Sequence, residues 1–264
     1  LSVLTARNVS HAYRTFSLVG ASNRKTVLDH VSMEIAAGQT VALLGRSGCG
    51  KSTLARLLVG LERPDEGEVL FEGRPVDALS REELRAFRRS VQMVFQDAVG
   101  AVDPRLTVGE IVAQPLRHLL RLDRAECRSR TARLLGLVGL DRSDADKLPG
   151  RMSGGQLQRV CIARALAPEP QLIVLDEAVS NLDLHLQIRM IDLFDALRRE
   201  TGVSYLFVTH DLRLVERFCS RVVVMDAGRI QEAADVSRPL ALTSSAGRAL
   251  HEAVLPAMPA LRQT

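Results

Sequence analysis

The chain is predicted to fold as an α/β domain built on a mainly parallel sheet, with a lobe of helices inserted into it. Three observations carry this reading. Short apolar runs alternate with amphipathic stretches of helical period along most of the 264 residues. Those runs, "TVALL", "LIVL", "YLFV" and "RVVVM", have strand length and fall well short of the roughly 20 apolar residues that cross a bilayer. After residue 98 such runs vanish for about fifty residues and helix signals replace them.

Taken in order, strands are expected at 40–44, 91–95, 172–175, 204–208 and 222–226, and helices at 51–59, 186–200 and 211–219. Around the second helix Leu184, Ile188, Ile191 and Phe194 fall on one face. The arginines and glutamates of "REELRAFRR" alternate as on a solvated helix. In the lobe, Thr107 and Glu110 have capping-box spacing ahead of "IVAQPLRHLL", and Pro115 must bend or divide that helix because it lacks an N–H. A second lobe helix covers 124–138. "KLPGRMSGGQ" closes the lobe, with Pro149 and Gly150 as punctuation before a new helix. The expected division is one domain over 1–230, with 98–152 inserted as a helical subdomain, and a tail over 231–264 with one helix at 244–254.

Composition narrows the function. With 46% apolar and 25% charged residues the chain can bury a full core. Four cysteines, at 49, 127, 161 and 219, form no CxxC pair, which argues against a disulfide frame or a zinc or iron–sulfur site. The six histidines are equally dispersed. A net charge of +4 without interleaved aromatics, which make up 3%, does not describe a nucleic-acid groove, so no nucleic-acid partner is expected. No secretory signal is read at the amino end, and the cytosol is the default compartment.

Chemistry concentrates at strand ends. Gly45, Gly48, Gly50, Lys51 and Ser52 fit G-x-x-x-x-G-K-[ST], directly after "TVALL" and before "STLARLLVG". Glycines there let backbone N–H groups converge on phosphates at the positive end of a helix, Lys51 adds charge, and Ser52 can ligate Mg²⁺. Arg46, Ser47, Cys49 and Thr53 complete the expected binding loop. In "LIVLDEAVSNLD" a buried strand ends in Asp176, suited to hold Mg²⁺, and Glu177, suited to orient or deprotonate water; capping the next helix would be the plainer role for either alone. His210 ends "YLFVTH" where it could reach a terminal phosphate, although a lone histidine is ordinarily a core or surface residue. Gln96 ends "VQMVFQ" and, taken singly, could merely satisfy loop backbone.

In order, "GRSGCGKST", Gln96, "SGGQ", "LIVLDE", "SNLD" and His210 resemble the ATP-binding subunits of ABC transporters. The resemblance implies a P-loop NTPase core of RecA-like type with an N-terminal antiparallel β subdomain and an inserted α-helical subdomain. It makes Gln96 the lid glutamine that senses Mg²⁺ and the attacking water, Ser153, Gly154, Gly155 and Gln156 the signature, Asp183 part of the dimer-contact loop, and His210 the switch histidine. Tyr13 is the candidate to stack on adenine; Phe16 is its rival, and a plain strand aromatic is the other reading. Met152 stands where the signature usually has Leu, a volume-conserving swap. Asn181 replaces the usual Ala of the dimer-contact loop.

The family further implies ATP and Mg²⁺ as cofactors and a head-to-tail pair of ATPases, in which the signature of one chain faces the γ-phosphate held by the other. The partner is a paralogous ATP-binding subunit, or a second copy of this chain in isolation. Two transmembrane permease subunits and, indirectly, a substrate-binding protein complete the complex, placing the chain peripherally on the cytoplasmic face of a bacterial inner membrane. Residues 97–106 are where a permease loop would dock, with a mere surface loop as the alternative. "VDPRLTVGEIVAQPL", "THDLRLVERFC" and the tail "SSAGRALHEAVLP" resemble the peptide and nickel importer branch, on its nickel side. The cargo stays open between nickel, a metal chelate and a dipeptide. A non-transport ABC ATPase and a P-loop kinase or GTPase are the other classes; neither a long coiled-coil insertion nor a second cassette is present for the former, and the latter needs no "SGGQ".

Overall fold

The computed structural model describes residues 2–16 and 22–253. The side chain of Phe16, the rival to Tyr13, and residue 254, the last of the expected tail helix, lie outside the described residues. Among the described residues there are two sheets. The smaller is antiparallel, in the order β2-β1-β4-β5, from β1 (Ser2–Phe16), β2 (Ser22–Ala36), β4 (Glu66–Phe71) and β5 (Arg74–Pro75). The larger contains β3 (Thr40–Gly45), β6 (Val91–Val94), β7 (Leu172–Asp176), β8 (Ser204–Val208), β9 (Arg221–Asp226) and β10 (Arg229–Asp235), in the order β10-β9-β3-β8-β7-β6. All its pairings are parallel except β9 with β10.

Every residue of β3, β7 and β8 is buried, which is why these strands read as unbroken apolar runs instead of alternating ones. Their alternate side chains enter two different cores. Ala42, Leu44, Ile173, Leu175 and Phe207 pack with helices α5 (Gly154–Leu166), α6 (Leu184–Thr201) and α7 (Leu212–Phe218). Val41, Leu43, Val174, Leu206 and Val208 pack with α1 (Lys51–Leu58), with Phe87 of α2 (Arg81–Ser90), and with the small sheet. Between β6 and β7 the chain forms α3 (Val108–His118) and α4 (Arg124–Leu137), each opened by a capping box, Thr107 with Glu110 and Asp123 with Glu126. The last described element is α8 (Ser245–Ala253). Among the described residues no helix is long and apolar enough to cross a membrane.

The structure narrows one local expectation and corrects another. Pro115 does not divide α3, which runs on to His118; the proline sits in its last turn, where only the carbonyl of Ile111 loses a donor. In α6 the core-facing seam is Met190, Ile191 and Phe194, flanked by Leu186, Leu193 and Leu197. Leu184 is 57% exposed, because it opens the helix ahead of that seam, and Ile188 is only half-buried.

The parallel strands β3, β6, β7 and β8 all terminate along one edge of the large sheet. Groups far apart in the chain are therefore gathered in space at that edge: the loop 45–50 after β3, Gln96 after β6, Asp176 and Glu177 at the end of β7, and His210 after β8.

Candidate functional site

The loop between β3 and α1 is closely built. A Cβ on Gly45 would lie 2.4 Å from the carbonyl oxygen of Met225, and one on Gly50 (φ 108°) would lie 2.8 Å from that of Val27, so only glycine fits either place. Arg46, Ser47 and Gly48 are exposed, whereas Cys49 is buried and burial raises its thiol pKa, Lys51 opposing the rise. Lys51 is buried too. Its Nζ donates to the carbonyls of Gly45 at 2.7 Å and Arg46 at 3.0 Å.

Two strands across the sheet, at the end of β7, Asp176 Oδ1 accepts from Ser52 Oγ at 3.1 Å. Asp176 is buried, and burial pushes its carboxyl above the ordinary range; the neighbouring Glu177 adds to this, while Ser52, Arg56 and Lys51 oppose it. A buried carboxylate beside a hydroxyl is a donor set suited to a hard divalent cation that keeps water and takes its remaining ligands from phosphates. Among the described residues no group of three or more His, Cys, Asp or Glu side chains could hold a metal on its own.

Glu177 adopts φ 48°, the left-handed region that costs a non-glycine residue about 1 kcal/mol or more, and its N–H donates to the carbonyl of Val208 at 3.0 Å. This backbone turn swings the carboxylate between its neighbours. Gln96 Nε2 donates to Glu177 Oε2 at 2.9 Å, and His210 Nδ1 lies 3.6 Å from Oε1. Three strand ends thus converge on one carboxylate. They border a cleft of 470 Å³ whose other wall is Ser47, Gly48, Gly50, Lys51, Ser52 and Thr53, with Val27 at its rim. That volume lies in the range of ligand pockets. A larger cavity of 680 Å³, lined in part by Leu134, Leu166, Leu197 and Ser204, contains none of the sequence-predicted residues, so size alone does not locate the site.

The signature residues are not brought to this cleft. Ser153 caps α5: its Oγ accepts from the N–H of Gln156 at 3.2 Å, and its own N–H donates to Gln156 Oε1 at 2.8 Å. Ser153 and Gly154 are exposed, and a Cβ on Gly155 would lie 3.3 Å from Leu182 Cδ2. The signature turn therefore abuts the segment holding Asp183, itself exposed and the cap of α6 through the N–H of Leu186 at 2.9 Å. Asn181 Nδ2 makes a long 3.4 Å contact to the carbonyl of Gln96. Tyr13 does not line the cleft either; its hydroxyl donates to Glu62 Oε2 at 2.8 Å and lies 3.4 Å from Oγ1 of Thr53, which does. Sequence reasoning missed Val27 and Glu62, whose surroundings depend on the small sheet, and the Val208 carbonyl, which carries no side-chain signal.

Known proteins resemble this chain closely. The family model for ABC transporters matches residues 28–180. The nickel import ATP-binding protein NikE of Rhodospirillum rubrum is 63% identical over 258 residues, covering 98% of this chain and 93% of that protein. Its counterpart from Brucella suis is 56% identical over 259 residues, covering 98% and 97% respectively. Among solved structures, the dimeric, post-hydrolysis state of the ATP-binding cassette MJ0796 bound to ADP and Pi superposes with a TM-score of 0.80 at 31% identity, covering 88% of this chain and 98% of that one. The match runs through the loop around Lys51 and through Glu177, and with the strand-end geometry it places this chain in the ABC transporter family.

Proposed function

We propose that this chain is the ATP-hydrolysing subunit of an ABC importer that energises uptake of nickel or a nickel chelate. The observation that carries the ATPase reading is the convergence of Gln96 and His210 on Glu177 beside the Lys51 loop. In this reading the loop from Gly45 to Thr53 cradles the phosphates of ATP, and the Lys51 ammonium exchanges its two backbone carbonyls for the β- and γ-phosphates. Ser52, Asp176 and Gln96 would hold Mg²⁺, which when bound would neutralise developing phosphate charge. Glu177 takes a proton from the attacking water, and His210 reaches the γ-phosphate.

Ser153, Gly154, Gly155 and Gln156 do not complete the cleft of their own chain. Exposed N–H groups at the start of α5 suit them to close the cleft of a second ATPase subunit, with Asp183 at the same contact. Each pair of subunits then encloses two ATP molecules, and loss of the γ-phosphate contact reopens the pair. Residues 98–152 form a helical subdomain of the domain 1–230, residues 97–106 meet a permease, and the chain sits peripherally at the cytoplasmic face of a bacterial inner membrane.

The nickel relatives support the cargo, and among the described residues no group of three or more His, Cys, Asp or Glu side chains is placed to hold it. The test is two-part. The purified subunit should release phosphate from ATP only with Mg²⁺, and a deletion strain should lose ⁶³Ni uptake until the gene is restored. Uptake that falls for dipeptides and not for nickel would replace the cargo while leaving the ATPase in place.

A further inference from the structure

We propose that Glu62 is a positioning residue for Tyr13, holding the phenol ring in register with the phosphate loop so that it can take the adenine of ATP. This rests on the reading of Tyr13 as the base-stacking residue. The Tyr13 hydroxyl sits between two points on one rigid body. It donates to Glu62 Oε2 at 2.8 Å, just past the end of α1, and lies 3.4 Å from Oγ1 of Thr53 in the first turn of the same helix. Leu54, Leu57 and Leu58 bury α1 in the core, so its two ends move together. Lys51 and Ser52 open that helix. The hydroxyl thus ties a side chain of β1, in the other sheet, to the element that carries the phosphate-binding groups.

Glu62 is itself held. His11 Nε2 lies 3.4 Å from its Oε2, and Arg56 Nη1 lies 3.8 Å from its Oε1. His11 and Tyr13 are two residues apart on β1 and share a face, with ring centroids 5.0 Å apart at 90°. That edge-on contact and the bond to Glu62 fix both the position and the tilt of the phenol, while the residue stays 37% exposed and able to receive a planar group. An aromatic that stacks on a base needs only its ring; one whose distance from the phosphate site matters needs its hydroxyl as well. Glu62 supplies the acceptor, and a charged acceptor makes the stronger bond.

The experiment compares Glu62→Ala, Glu62→Gln, Tyr13→Phe and the Glu62→Ala/Tyr13→Phe pair in steady-state ATP hydrolysis, with inorganic tripolyphosphate as a competitor that lacks a base. Expected is a rise of about 3- to 10-fold in KM for ATP in Glu62→Ala and in Tyr13→Phe, with kcat changed by less than about 2-fold. Glu62→Gln, which keeps a neutral acceptor, should fall between. The pair should be no worse than the worse single variant, and the inhibition constant of tripolyphosphate should not move. Additive losses in the pair, or equal losses for ATP and tripolyphosphate, would overturn the proposal, since a purely structural Glu62 predicts them. If Glu62→Ala does not fold, Tyr13→Phe reads the same tether from its other end. Tyr13→Ala separates the two readings: an unchanged KM there removes Tyr13 from the base site and this proposal with it. A raised KM there with silent Tyr13→Phe and Glu62→Ala removes Glu62 alone.

Discussion

Gln96 donates its side-chain amide to the carboxylate of Glu177 at 2.9 Å, although 81 residues separate them along the chain. The bond joins the ends of β6 and β7, adjacent strands in parallel register from Val91↔Leu172 to Val94↔Leu175. One carboxylate oxygen is thereby fixed by Gln96, and the other faces His210 at 3.6 Å. A carboxylate fixed through one oxygen is oriented before any substrate arrives, which suits the base role proposed for it.

Replacing the proposed base, Glu177, should separate binding from chemistry. Glu177→Gln keeps the size of the side chain and an oxygen to accept from Gln96, but it cannot take a proton. Phosphate release should fall by about 100-fold or more. ATP should still drive dimerisation, visible as a shift in size-exclusion chromatography. Hydrolysis at the unmodified rate would show that another group removes the proton.

Asp176 gives a pH signature of the opposite kind to most carboxylates. Burial raises its pKa, so the charged form is disfavoured. The penalty is absent below the unfolded value near 3.8 and sets in as pH rises through the folded value. Asp176→Asn, which keeps an acceptor for Ser52, should therefore raise Tm at pH 7–8, where about 1 kcal/mol moves Tm by about 2–4 °C in a domain of this size. The difference should shrink toward zero near pH 4. Mg²⁺ with ATP should invert the order, stabilising the unmodified protein more than the variant; a variant that gains equally would remove Asp176 from the cation site.

The sequence made the large sheet legible because parallel strands covered on both faces must be unbroken apolar runs, and each such run carried its chemistry at its end. The same logic hid the small sheet. β1 and β2 run 15 residues each, with irregular registers and residues such as Asn8 and His30 at positive φ, so no clean period survives. That subdomain was reached through the family resemblance alone. β10 was missed for a different reason: "RIQEAAD" alternates exposed and half-buried residues at an antiparallel edge and contains little to mark it as buried. At the site, Glu62 and Val27 are contributed by the regions with the weakest pattern, while Gln96 and His210, ambiguous singly, acquire meaning from strand order. Leu184 fits the period of α6 yet faces outward, since periodicity assigns a face but not where along the helix the sheet begins.

The signature turn makes a prediction that spans two chains. Ser153→Arg should damage hydrolysis at a partner's loop by about 10-fold or more while leaving nucleotide affinity at the variant's own Lys51 site within about 2-fold. Arginine also removes the cap of α5, at a cost of about 1 kcal/mol. Ser153→Asp controls for this, since aspartate caps helices as well as serine does and still sets a negative charge against phosphate. Activity retained in Ser153→Asp would count against a cross-subunit site, whatever Ser153→Arg does.

The last prediction concerns the way α8 is fastened. Glu232, on β10, accepts four hydrogen bonds: from the N–H and hydroxyl of Thr243 at 2.8 and 2.9 Å on Oε1, and from the N–H and hydroxyl of Ser244 at 3.0 and 2.7 Å on Oε2. Burial pushes its carboxyl up, but these bonds outweigh burial and pull it down to about 2 from an ordinary 4.5. The carboxylate thus holds the turn that opens α8, whose Ala246 and Leu250 line a pocket together with Met225 and the start of the phosphate loop at Gly45 and Arg46. Because the folded pKa is depressed, this stabilisation is complete above pH 4.5 and is lost as pH falls toward 2. Glu232→Gln cannot satisfy four donors and carries no charge, so it should cost about 1–2 kcal/mol at pH 7, a figure already discounted for partial solvent exposure. In urea unfolding followed across pH, the gap between unmodified and variant protein should be constant above about pH 5 and narrow below it. A gap that ignores pH would mean that Glu232 acts through packing and not through its charge, and the acid-limb stability would then belong to other carboxylates.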